Sequence, residues 1–260
     1  MREDLRALVA ARDLLYVWTS REFKARYAGS ALGVAWALFY PLSLLLVFVA
    51  VFSWLLHVPT GGVAAPLFMY CGLAPWLFTN GTIQNSAFAV VANIDLVKNG
   101  VFPREVLPLA TVLVGFVDFA ISAVLLALLL GYYGTSLGAP VLLVPLLIAI
   151  QALLTLAVCL FLAGSVVLYR DVRFLVPIGL QFWMYLSPVF YPIELVPSWA
   201  RPWYMLNPMA ALLDAYRDVL LFARWPAWPP LALTAGISLV GLVVAYRYFK
   251  RAEWEFADRN

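Results

Sequence analysis

Between Arg26 and Asp95 the chain contains no Lys, Arg, Asp or Glu. A water-facing surface cannot be made from such a stretch, so the bilayer is the solvent it implies. One span needs ~20 apolar residues, and this stretch is far longer. The sequence His57-Val58-Pro59-Thr60-Gly61-Gly62 breaks it with a turn signal. It therefore divides into two helices, about 31–57 and 64–91. Composition agrees: 65% of the residues are hydrophobic and 12% are charged, against about half and a quarter in soluble domains.

The rest of the chain extends the pattern. A polar segment, Ala92 to Glu105, precedes a third span at about 106–131. The turn Gly131 to Gly138 leads to a fourth at about 140–168. The charged connection Tyr169-Arg170-Asp171-Val172-Arg173 leads to a fifth, from Phe174 into Ser187-Pro188. A sixth span covers 228–247, and 248–260 is a charged tail. The expected fold is an all-α integral membrane domain with six transmembrane helices. In it, 1–27 is a cytoplasmic interface helix, 28–189 holds spans one to five, and 190–227 lies outside. The first 26 residues are too charged to hold the apolar core of a cleavable signal. Cys71 and Cys159 fall in apolar runs and read as packing residues.

Orientation follows from the basic residues. Fourteen of the 17 Lys and Arg lie in the N-terminal segment, the 92–105 loop, the 169–173 loop and the tail. That side is expected to be cytoplasmic, with both termini there. Arg201, Arg217 and Arg224 alone lie on the other side. In the N-terminal segment Leu5, Leu8, Val9, Leu15 and Tyr16 recur at helical spacing, which predicts a helix lying on the inner membrane surface. Segment 190–227 is rich in Pro and aromatics. Its helical part, Met209 to Phe222, is too short to cross ~30 Å of hydrocarbon. It reads as a re-entrant or interfacial helix, the alternative being a folded external loop.

Chemistry-bearing groups are few. Asp118 is the only charged residue deep in a span. It admits an ion-relay role, or a protonated carboxyl bonded to a neighbouring helix. The lone histidine, His57, has no second imidazole or thiol beside it for a metal and reads as an interfacial polar residue. None of the three lysines follows a glycine, so the phosphate-binding loop G-x-x-x-x-G-K-[ST] is absent. ATP and Mg, if used, belong to another chain, and no cofactor is expected in this one. Trp36, Tyr40, Phe48 and Phe52 recur at four-residue steps, and Phe182 and Tyr185 share a face of the fifth span. Such stripes suit a sugar path but are more often packing or interface anchors.

Four ordered stretches carry a resemblance. They are Arg21-Glu-Phe-Lys24-Ala-Arg26-Tyr27 through Trp36-Ala-Leu-Phe-Tyr40-Pro41, then Phe102-Pro103-Arg104-Glu105-Val106-Leu107-Pro108, then Tyr169-Arg170-Asp171-Val172, and Ser187-Pro188-Val189-Phe190-Tyr191-Pro192 followed by Asn207-Pro208. Together they resemble the polysaccharide export permeases, the membrane subunits of type-2 ABC exporters that move lipid-linked O-antigen, capsule or teichoic acid. The resemblance implies six spans, an amphipathic helix first, and two short re-entrant helices before the last span. It also implies a second copy of the chain, a separate ABC ATPase subunit, a lipid-linked glycan substrate, surrounding membrane lipids and no nucleic acid. The location implied is the bacterial inner membrane.

The resemblance places the ATPase-coupling loop at 92–105, with Asp95, Lys98, Phe102, Arg104 and Glu105 as contacts. It places a cytoplasmic substrate entrance at Arg21, Lys24, Arg26 and Tyr27, where the alternative is ordinary positive-inside topology. Trp36, Tyr40, Phe182, Tyr185 and Tyr191 are the expected translocation path. Two competing functions stand beside it. One is an ion-coupled secondary transporter using Asp118. The other is a membrane enzyme using Glu194, Asp214 and Asp218.

Overall fold

The computed structural model describes residues 10–28, 30, 33–99 and 102–255, without the side chains of 95, 98, 99 and 255. Leu5, Leu8 and Val9 of the expected N-terminal stripe lie outside the described residues. All regular structure among those described is helical. The order is α1 (Arg12–Tyr27), α2 (Trp36–Phe48), α3 (Ala65–Ala89), α4 (Ile94–Asn99), α5 (Val106–Tyr132), α6 (Val144–Leu168), α7 (Val172–Tyr185), α8 (Arg201–Tyr204), α9 (Pro208–Leu220) and α10 (Trp228–Glu255). A 3-10 turn, Gly33–Ala35, leads into α2, and a π-helical stretch, Val49–Leu55, continues it. Proline opens several helices: Pro66, Pro145, Pro202 and Pro208 sit in first turns, where no N–H is needed.

Among the described residues, four helical stretches are both long and apolar enough to cross a membrane: Gly33–Leu55, Val106–Tyr132, Ala139–Leu168 and Trp228–Trp254. The other two expected spans each miss one condition. Helix α3 has 25 residues, about 37 Å at ~1.5 Å per residue, but Thr79, Asn80, Thr82, Gln84 and Asn85 dilute its C-terminal half. Helix α7 is apolar, but its 14 residues reach only about 21 Å.

The helix of the last expected span does not stop at residue 247. Helix α10 runs two turns further, to Glu255. Charges that look like a tail are satisfied within the fold: Lys250 and Glu253 meet Glu105 and Arg104. The N-terminal face is also adjusted. Trp18 is its buried anchor, with Leu14 and Leu15 beside it, and Tyr16 points away. Residues 14, 15 and 18 share a helical face, which position 16 does not.

Helix α3 is the centre of the bundle. It packs on both α5 and α6, and α6 in turn packs along the length of α10. Close approach relies on small residues, as is usual in membranes. A Cβ on Gly115 of α5 would collide with Thr82 Oγ1 of α3, and one on Gly164 of α6 would sit 3.3 Å from Tyr248 of α10. One large apolar cluster fills the half of the bundle at the 56–64 turn. A second, around Trp18, Val90, Leu107 and Phe249, fills the opposite half. Cys71 and Cys159 are fully buried free thiols, in keeping with a packing role.

The α3–α5 contact predicts a specific rescue. Gly115→Ala should destabilise the protein by about 1–3 kcal/mol, read as a lower melting temperature in detergent. Adding Thr82→Ala removes the colliding oxygen and should recover most of the loss.

Candidate functional site

The end of α1 brings two polar side chains to the middle of α5. The Arg26 guanidinium pairs with Asp118 Oδ2, and the Tyr27 hydroxyl donates to Asp118 Oδ1. Both carboxylate oxygens are thus engaged from one element. Burial of Tyr27, its bond to Asp118 and that carboxylate's charge all push the phenol pKa up, so it stays a neutral donor. The sequence offered Asp118 no partner inside the spans. Its partner arrives from α1 instead, 92 positions earlier.

Below this pin lies a cavity of about 440 Å³ between α1, α2, α3 and α5. Trp36 and Tyr40 of α2 present exposed rings to it. Asn80, Gln84 and Asn85 of α3 and Ser122 of α5 supply polar walls. These four were not singled out by sequence reasoning. Their signal was present, as amides at i, i+4 and i+5 within the charge-free stretch.

The expected residues separate into groups. Arg26, Tyr27, Trp36 and Tyr40 converge on the cavity. Arg21 instead lies over the Trp18 ring at 4.5 Å, and Lys24 is exposed. Phe182 and Tyr185 are exposed on α7 and do not line the cavity. Tyr191 also lies elsewhere: its hydroxyl meets the Tyr185 carbonyl at 2.8 Å and the Tyr204 hydroxyl at 2.9 Å. The aromatic stripe of the first span divides in the same way. Phe48 and Phe52 pack on Phe190, with centroids 3.9 and 5.2 Å away.

The 92–105 loop carries α4 and is tied to the end of α10. Glu105 is 1% exposed. Its Oε1 accepts from Lys250 Nζ at 2.8 Å and from the Tyr246 hydroxyl at 3.2 Å. Arg104 donates to the Glu253 carbonyl at 3.0 Å and to the Val97 carbonyl at 3.4 Å, and lies 3.6 Å from the Glu253 carboxylate. Phe102 packs into the apolar cluster beneath. The side chains of Asp95 and Lys98 lie outside the described residues.

On the other side, Arg217 of α9 is buried, 2% exposed. It donates to the Val189 carbonyl at 2.8 Å and the Tyr191 carbonyl at 3.2 Å, and stacks 4.1 Å from the Phe68 ring. Sequence reasoning used this arginine only to count charges. Asn207 caps α9 by accepting from the Met209 N–H and also accepts from the Trp183 indole. Of Glu194, Asp214 and Asp218, the last is in an ion pair with Arg224 at 3.2 Å.

Comparison with known proteins now decides the family. Residues 13–221 match the ABC-2 type transporter family. The chain belongs to that family. Its relatives agree along its whole length. An O-antigen export system permease protein RfbA of Myxococcus xanthus is 33% identical over 258 residues, 98% of each chain. A protein of the same name from Klebsiella pneumoniae is 26% identical over 250 residues, covering 95% of this chain and 94% of the relative. The polysialic acid transport protein KpsM of Escherichia coli is 22% identical over 248 residues, covering 90% and 91%.

As an ABC-2 transporter the chain is an integral membrane protein. Its loop clamp yields a direct prediction. Lys250→Ala leaves the buried Glu105 carboxylate without its cation, which should cost about 3–5 kcal/mol. Lys250→Met with Glu105→Gln removes both charges and should lose much less, as read by thermal unfolding in detergent.

Proposed function

We propose that this chain is the membrane-spanning subunit of an ATP-driven exporter that carries a lipid-linked polysaccharide of the O-antigen, capsule or teichoic-acid type from the cytoplasm to the outer side of the inner membrane. The observation that carries this reading is end-to-end similarity to O-antigen export permeases, at 33% identity in one of them. The absence of a phosphate-binding loop from the sequence is consistent with it: a separate ABC ATPase binds ATP and Mg. Two copies of the chain surround the path, because one small bundle leaves little room for a hydrated polymer.

In this reading α3 and α7 complete the six spans, α1 rests on the inner surface, and α8 and α9 are the re-entrant helices. Both termini are cytoplasmic. The polar inner half of α3 fits a span that faces a wet cavity more than lipid. Loop 92–105 meets the ATPase. Arg21 and Lys24 lie open to lipid phosphate at the entrance, whereas Arg26 is held by Asp118. Glycan hydroxyls are costly to desolvate, so an external energy source is required, and the partner supplies it.

Co-reconstitution with a cognate ABC ATPase tests the proposal. Lipid-linked glycan should move only when both chains and ATP are present. ATP hydrolysis by the permease alone, or movement driven by a proton or sodium gradient without ATP, would overturn it. Asp118→Asn separates this reading from ion coupling. It should leave transport ATP-dependent, with a loss of thermal stability from the weakened Arg26 pair. If an ion gradient powered wild-type transport and Asp118→Asn abolished it, the ion-coupled reading would hold instead.

A further inference from the structure

The inner half of α3 presents three amides that its own packing does not use up. Gln84 Nε2 donates to Asn80 Oδ1 at 3.0 Å, and Asn85 Nδ2 donates to the Gly81 carbonyl at 2.8 Å. That leaves Asn80 Nδ2, Gln84 Oε1 and Asn85 Oδ1 without a protein partner among the described residues. An amide offers two donors and a doubly accepting oxygen. At membrane depth, unpaired groups of this kind require a polar occupant.

The cavity has space for one. A Cβ on Gly81, between the amides, would meet nothing within 4 Å. The volume, about 440 Å³, lies in the range of small-ligand sites. The rings of Trp36 and Tyr40 also line it. Its charge is the deciding feature. Arg26 and Asp118 at its rim neutralise each other, and among the described lining residues no other is charged. An anion finds no uncommitted cation there. A lipid tail would leave the amides unpaired. A neutral, hydroxyl-rich ring satisfies both walls, with hydroxyls on the amides and its C–H face on the aromatics.

We propose that Asn80, Gln84 and Asn85, with Trp36 and Tyr40, form a sugar-binding subsite on the inner half of the export path that recognises the uncharged glycan portion of the substrate. This assignment rests on the exporter reading and adds to it which residues touch sugar and that they do so without charge. The pin above holds α1 against α5 and thereby closes one side of the subsite.

The test uses the permease–ATPase complex in lipid nanodiscs. ATP hydrolysis is measured against two probes: lipid-linked glycan extracted from the source membranes, and the same lipid diphosphate without sugar. Asn80→Leu, Gln84→Leu and Asn85→Leu should each raise the half-saturating glycolipid concentration by up to about tenfold, the scale of one lost hydrogen bond. The half-saturating concentration of the sugar-free lipid should not shift. Gly81→Leu fills open space and removes no polar group, so it should weaken the glycolipid response in a complex that still assembles. Unchanged glycolipid half-saturation in all four variants, or equal weakening for both probes, would overturn the subsite while leaving the exporter intact. A wild-type complex whose hydrolysis ignores the glycolipid, and which moves none, would instead remove the exporter reading.

Discussion

In hydrocarbon a polar group that finds no partner inside the protein is a large penalty, and this fold is arranged around that constraint. Asp118 is answered by Arg26 and Tyr27, which fastens α1 to α5. Gln151 of α6 donates to the Pro75 carbonyl at 2.7 Å and to Thr79 at 2.9 Å, and accepts from Tyr216 at 2.9 Å. That one side chain joins α3, α6 and α9 through the core. Arg217 holds the 189–191 segment in place through its carbonyls. Each of these links crosses between helices that apolar packing alone would leave free to slide.

The cavity differs in gathering several amides with spare bonding capacity around one open space. Its amides are polar, lie at membrane depth and retain bonding capacity. Three amides with unused capacity on one cavity fit a place where water or cargo passes. The clamp at the start of α5 has a complementary role. Loop 92–105 enters α5 directly, and through Glu105 and Arg104 it is joined to α10. A push on that loop is therefore carried into two long helices at once, whichever chain applies it.

Much of the fold was legible from the charge pattern. The turns at 58–63 and 132–139, the starts of α3 and α5, and the α6–α7 junction were each placed within a few residues, because charge-free runs and Pro-Gly breaks are local signals. What was not legible depends on distant pairs. The last helix continues past Arg247 because Lys250 and Glu253 find partners about 145 positions away, and no local rule distinguishes that from a solvated tail. Asp118 read as solitary for the same reason. Arg217 read as one more external charge, since its burial depends on carbonyls freed by an irregular segment. Among the site residues, Arg26, Tyr27, Trp36 and Tyr40 were named by resemblance and do share one cavity. Phe182, Tyr185 and Tyr191 do not join them within one chain. The amides were hidden by their modest hydrophilicity, which dilutes a span without interrupting it.

Whether the inner half of α3 truly faces water is the point on which the account turns. Asn85→Cys in inside-out membrane vesicles, challenged with a charged, membrane-impermeant maleimide, answers it directly. The native thiols at 71 and 159 are fully buried and serve as the internal background. Rapid labelling at position 85, far above that background, is the predicted result. Labelling no faster than the two buried cysteines would place this face against lipid and contradict the account.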